Sequence, residues 1–166
     1  MTATQISRRS NLSNDACRRV LGELSRHGIV TCLNQSARRS RVYWFTELGV
    51  SAMKRFPGCN ISFIDDYLSI DWNLYGWLCY RHRAAVLKSI TEPLQPATMK
   101  RKARSRDPTL RMSANNVRDI IRLFLERGIV QAVKVRKKAH LRYDLTAAGS
   151  KLQQLLTQSE VPRTNF

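Results

Sequence analysis

Gly28-Ile29-Val30 recurs as Gly128-Ile129-Val130, and the offset of one hundred residues holds without a gap through the surrounding sequence. Ser13 matches Ser113, Arg18 matches Arg118, Tyr43 matches Tyr143, Thr46 matches Thr146 and Gly49 matches Gly149. That makes eight identities in 38 aligned positions, where ordinary composition gives about two. A repeat of this length limits what the 166-residue chain can fold into, because each copy must bury its own small core with the same order of elements.

The apolar positions repeat as well. Cys17, Val20, Leu21 and Leu24 lie at i, i+3, i+4 and i+7, and Val117, Ile120, Ile121 and Phe124 repeat that spacing, which puts each set on the core face of a helix. Ser13 and Ser113 are N-caps, since a short hydroxyl accepts from the free N–H groups of a first turn, and Gly28 and Gly128 suit the left-handed residue that ends a helix. The pattern therefore predicts helices over 13–27 and 113–127. Residues 29–33 with 43–45, and 129–135 with 143–145, read as two hairpins with basic tips at 35–41 and 136–142. Thr46 and Thr146 cap further helices over 47–55 and 147–156, with Leu48 and Ala52, and Leu152, Leu155 and Leu156, facing the core.

Ahead of these, residues 2–9 form a short helix and 10–12 a turn. In the second copy Pro96-Ala97-Thr98-Met99 leads into Lys100-Arg101-Lys102, and residues 104–110 lengthen the turn by about six residues. A helix over 83–90, with Ala84, Leu87 and Ile90 inward, has no counterpart ahead of Thr2. The fold expected is mainly α with small β-hairpins (α+β). It divides into a domain over 1–55 that lacks its first helix, a connector over 56–80, a domain over 81–158 and a tail over 159–166.

Charge follows the same division. Residues 1–55 carry ten basic and three acidic side chains, 56–80 carry only Asp65, Asp66 and Asp71, and 81–166 carry nineteen basic and six acidic, giving a net charge of +17. A hydrophobic fraction of 43% excludes a disordered basic tail. No apolar run approaches the ~18 residues that span a bilayer, and no basic amphipathic helix has a broad apolar face to insert in a membrane surface. The partner expected of such a charge is nucleic acid, and the location expected is cytoplasmic, at the nucleoid. The connector, with Phe63, Tyr67, Trp72, Tyr75, Trp77 and Tyr80, is too apolar for a flexible linker. Residues 61–78 are expected to form helices that cover the face the first copy leaves open, in cis or through a homodimer, with Asp66 and Asp71 as caps.

The order helix, helix, turn, helix, hairpin, helix, with its Gly-Ile-Val helix ending and Tyr-x-Phe/Leu-Thr-x-x-Gly strand-to-helix junction, resembles winged helix-turn-helix transcription regulators of the MarR and ArsR type, archaeal ones in particular. The likeness covers residues 2–55 and 81–156. It implies two winged helix-turn-helix domains in tandem joined by a packed helical connector, with helices 13–27 and 113–127 in major grooves of double-stranded DNA and the hairpin tips as wings on the backbone. The first copy departs from the pattern in lacking its opening helix, and the second in its longer turn and more basic approach helix.

The residues carry this chemistry by themselves. Opposite the apolar stripe the first helix shows Asn14, Asp15, Arg18, Arg19 and Gly22, and the second shows Asn115, Arg118, Asp119 and Arg122. Arginine pairs with both guanine acceptors of the major groove and asparagine with adenine, so these are the groups that base readout requires; Gly22 lets a backbone come close. Arg8, Arg9, Arg38, Arg39 and Arg41, then Lys100, Arg101, Lys102, Arg104, Arg136, Lys137, Lys138, His140 and Arg142, would contact phosphates, which position without specifying.

Other chemistry finds little support. Cys17, Cys32, Cys59 and Cys79 lack metal-ligand spacing, and buried, reduced thiols are expected. His27, His82 and His140 are isolated. Asp65, Asp66 and Asp71 form the one carboxylate cluster, and phosphate-cradling loops and nucleophile elbows are absent from the sequence. The chain is therefore read as a non-enzyme without metal or cofactor. Competing readings are a replication or plasmid-maintenance initiator, a sequence-neutral architectural binder, and a winged-helix protein-interaction module.

Overall fold

The structure, a computed structural model, describes residues 1–56, 70–134 and 140–158. The described residues fall into two compact units, Met1–Cys79 and Tyr80–Gln158, in a mixed α+β arrangement of helices and two small antiparallel hairpins. The first unit contains α1 (Ala3–Ser7), α2 (Asn14–Arg26), β1 (Val30–Cys32), β2 (Tyr43–Phe45), α3 (Glu47–Met53) and α4 (Trp72–Leu78). The second contains α5 (Arg81–Ser89), α6 (Pro96–Arg106), α7 (Ala114–Glu126), β3 (Val130–Val133), β4 (Arg142–Leu145) and α8 (Ala147–Gln158).

The repeat is reproduced at atomic detail where helix, strand and helix meet. Ser13 and Ser113 cap α2 and α7, accepting from Ala16 N and Asn116 N, and Gly28 and Gly128 follow the two helices at φ +68° and +63°, the left-handed region that suits glycine. The Thr46 hydroxyl donates to Gly28 O (2.5 Å) and Ile29 O (3.2 Å). The Thr146 hydroxyl donates to Gly128 O (2.6 Å) and Ile129 O (3.1 Å). Each threonine oxygen also caps the next helix, accepting from Gly49 N at 3.1 Å and Gly149 N at 3.0 Å. A Cβ on Gly49 would sit 2.0 Å from Ile29 O and one on Gly149 2.0 Å from Ile129 O, so only glycine lets α3 and α8 come this close.

Both hairpins pair in the same register, with Val30 opposite Phe45 and Val130 opposite Leu145. A third segment adds to each: Met1 exchanges two backbone hydrogen bonds with Tyr43 (2.8 and 2.9 Å) and Leu94 two with Tyr143 (3.0 and 2.9 Å). Leu94 thus stands to Met1 at an offset of 93, whereas Ser113 stands to Ser13 at 100. Seven extra residues of the second copy lie between those points.

These extra residues correct the expected long turn over 104–110. They mostly extend a helix, since α6 has 11 residues where α1 has five. Lysine, arginine and alanine favour helix, and the chain breaks only at Asp107, whose extended ψ of 88° is what the following Pro108 demands.

The helical core of the first copy is narrower than its spacing suggested. Cys17 and Leu21 are buried and Leu24 half-buried, but Val20 is 44% exposed, whereas its counterpart Ile120 is 7% exposed. In the second unit α5 packs against α6, α7 and α8, with Ala84, Leu87 and Ile90 buried; among the described residues the main helical neighbour of α2 is α1. Leu48, expected in the core, is 58% exposed. The close approach at Gly49 fixes the phase of α3, turning Gly49 and Val50 inward and the preceding residue outward, with Ala52 half-buried. On α8, Leu152 and Leu156 are buried and Leu155 half-buried. Gln153 ties α8 to the end of α5, donating to Leu87 O and Ile90 O at 2.7 and 2.8 Å.

Residues 57–69 of the aromatic connector, with Phe63, Tyr67, Asp65 and Asp66, lie outside the described residues. The described part, α4, is capped by Asp71, which accepts from Leu74 N at 2.9 Å. It belongs to the first unit, where a Cβ on Gly76 would meet Ser40 O at 2.6 Å and Asn34 Nδ2 at 2.7 Å. No helix among the described residues is long and apolar enough to cross a membrane.

Candidate nucleic-acid interface

Helix α7 carries its apolar stripe, Val117, Ile120, Ile121 and Phe124, into the core. Asn115, Arg118, Asp119 and Arg122 are left together on the solvent side, all exposed. They touch one another: Arg118 donates to Asn115 Oδ1 at 3.0 Å, and Arg122 pairs with Asp119 at 3.3 Å. On α2, Asp15, Arg18 and Arg19 are exposed, and Arg18 lies 3.5 Å from Asp15. Exposed i,i+3 pairs are worth only about 0.3–0.5 kcal/mol, so the guanidinium groups are held in place without being committed.

Asn14 differs from the expected exposed readout residue. At the first helical position its side chain turns inward, and Oδ1 is buried with no hydrogen-bond partner among the described residues. Gly22 has nothing within 4 Å of an added Cβ, so the space beside it is open.

The tip of the first hairpin is organised by a residue that the sequence did not single out. Buried Asn34 accepts from Val42 N at 2.7 Å and donates to Ser40 O at 3.2 Å, while Ser40 takes the left-handed φ of 54°. Arg38, Arg39 and Arg41 project from this loop into solvent, and Arg41 Nε also reaches back to Ala37 O at 3.2 Å. Of the second tip, Arg136, Lys137 and Lys138 lie outside the described residues; His140 and Arg142 are exposed. Arg8 and Arg9, expected on phosphates, are exposed after α1.

The cations of α6 divide into two sets. Met99 and Ala103 are buried, which fixes the rotation of the helix. Lys102 faces the end of α5, its Nζ 3.0 Å from Glu92 Oε1 and 2.9 Å from Thr91 Oγ1, and Arg106 donates to Lys88 O at 2.5 Å. Lys102, expected on a phosphate, is thus placed beside Glu92 and Thr91 of its own unit. No local sequence signal reveals this, since Glu92 lies ten residues away, beyond a turn. Lys100, Arg101 and Arg104 point the other way and have no ion-pair partner among the described residues.

The turn between α6 and α7 is clamped from α5. Arg81 grips Asp107 with Nε at 3.1 Å and Nη2 at 2.9 and 2.7 Å and also reaches the Thr109 hydroxyl. His82 Nε2 lies 2.9 Å from Arg111 O. The Thr109 hydroxyl and the Arg81 guanidinium hold the Asp107 carboxyl below its ordinary range. Sequence spacing could not show this clamp, whose partners lie 26 to 29 residues apart.

Among the described residues no group of His, Cys, Asp and Glu could hold a metal ion. Cys17 is buried, Cys32 and Cys79 are half-buried, and none of the three is in a disulfide among the described residues; Cys59 lies outside the described residues. No protein-family model, no curated protein and no solved structure matches the chain.

Proposed function

We propose that this protein is a non-enzymatic, sequence-specific binder of double-stranded DNA, a transcription regulator built from two winged helix-turn-helix units in tandem. In this reading α2 and α7 enter major grooves, Arg18, Arg19, Asn115, Arg118, Asp119 and Arg122 meet base edges, and the hairpin tips lie on the backbone. The observation that supports it most is the outward face of α7. Four readout-competent side chains sit side by side in solvent, on a helix whose start, end and rotation are fixed by the Ser113 cap, the Gly128–Thr146 junction and four buried apolar residues. A solvated face of ordinary function has no need of such a concentration of arginine and asparagine.

Selecting bound sequences from a random duplex pool tests the proposal. The full chain should enrich one motif ~10³-fold or more over scrambled DNA. Arg118→Ala should relax the preference at one base pair by about 1–3 kcal/mol, and Arg18→Ala should do the same at another position. Equal affinity for all sequences would point to an architectural binder instead. A motif found at an origin rather than a promoter would favour an initiator.

A further inference from the structure

We infer that α4, the described part of the aromatic connector, is a brace that fixes the first hairpin tip, with Asn73 and Gly76 as positioning residues for Arg38 and Arg39. Resting on the DNA-binding reading above, this role falls to an element that lies outside the repeat. A helix of seven residues does not persist alone; α4 is kept by burial of Tyr75 and Leu78 and by the Asp71 cap. Its Gly76 face lies on the first hairpin. A Cβ on Gly76 would meet Ser40 O at 2.6 Å, Asn34 Nδ2 at 2.7 Å and Val42 Cγ2 at 3.4 Å, so the helix backbone itself rests against the loop. Three residues earlier on α4, Asn73 Oδ1 accepts from the Ser36 hydroxyl at 3.4 Å. Ser36 and Ser40 are the two feet of the tip, and Arg38 and Arg39 stand between them, exposed.

The loop beneath α4 is built to be held. Asn34 and Val42 are buried, and the Asn34 side chain spans the loop through its bonds to Val42 N and Ser40 O, while Ala37 N donates to Asn34 O at 3.0 Å. Ser40 keeps a left-handed φ of 54°, a conformation that a residue with a Cβ retains only where its surroundings over-determine it. At the matching positions of the second hairpin stand Lys134 and Arg142, both exposed, so the buried seat for such a helix is missing from the described part of that hairpin. The consequence is pre-organisation. A tip already in its bound shape loses little ordering entropy on binding, whereas a released tip binds with an affinity reduced by the fraction of time it spends in that shape.

The test is a double-mutant cycle on binding of the full-length chain to duplex DNA, joined to NMR relaxation of the free chain. Gly76→Ala forces the Ser40 carbonyl and α4 apart and should weaken binding about tenfold, the loss expected when about one tip in ten keeps the bound shape. In the Arg38→Ala/Arg39→Ala chain the same substitution should cost less than about twofold, because the cations that α4 positions are gone. Asn73→Ala, which removes one exposed hydrogen bond, should weaken binding by about two- to threefold. In the wild-type chain without DNA the Arg38 and Arg39 amides should have order parameters of about 0.8 or more, a readout that requires no variant to fold. An equal loss from Gly76→Ala in both backgrounds makes α4 a support of the fold in general, and order parameters below about 0.6 mean a tip that α4 does not hold. Either result overturns the brace and leaves DNA binding standing. If the wild-type chain binds no duplex at about 50 mM salt, the DNA reading fails and takes the role of α4 with it.

Discussion

Gly49 and Gly149 are the residues on which the two copies agree most closely in physics, each leaving room for a carbonyl oxygen that a Cβ would approach to 2.0 Å. The offending atom is backbone in both cases, so the strand or the helix must move. Gly49→Ala and Gly149→Ala should each cost about 1–3 kcal/mol or more, seen by calorimetry as a drop of at least 5 °C in melting temperature. Gly22 should behave oppositely. It is a helical glycine with open space around it, so Gly22→Ala should stabilise the protein by about 0.5–1 kcal/mol. Were the site free of DNA contact, affinity would be unchanged; the proposed close backbone approach predicts a measurable loss. The sequence marked all these glycines as notable, but only packing tells which of them a methyl group would break.

At the scale of elements, the α6–α7 turn is positioned by α5 through Arg81, His82 and Asp107. Asp107 has a folded pKa below its ordinary value of 3.8, so its contribution to stability is present above that value and is lost as pH falls through the folded one. Titration of the Asp107 carboxyl by NMR should therefore give a midpoint below 3.8, and Arg81→Ala should raise it. Asp107→Asn should remove the corresponding acid dependence of unfolding. The helices and hairpins themselves were legible in the sequence, because periodicity, hydroxyl caps and glycine stops act within a turn or two of chain. The phase of α3 and the length of α6 were not. Leu48 looked apolar enough for a core, yet the threonine–glycine junction fixes the rotation of its helix, and that junction depends on the Ile29 carbonyl, seventeen residues earlier.

For the whole molecule, the net charge of +17 sets how strongly binding to a polyanion should respond to salt. If six to ten phosphates are engaged, affinity for duplex DNA should fall about 10³-fold or more between 50 and 200 mM salt. A binding isotherm that barely moves over that range would contradict the proposed function. The sequence by itself determined the duplication, the order of its elements, the excess of charge in the second copy, the arginine face of α2 and the arginine and asparagine face of α7, since each follows from residue types at fixed local spacing. Only tertiary structure decided that Val20 stays wet while Ile120 is covered by the packing around α5, that Asn14 turns inward, and that Lys102 and Arg106 serve their own unit while Lys100, Arg101 and Arg104 point the other way. The physical reason is common to all of these. A side chain's direction is set by the rotation of its helix, and that rotation is fixed by burial and by hydrogen bonds to partners that local spacing does not reveal.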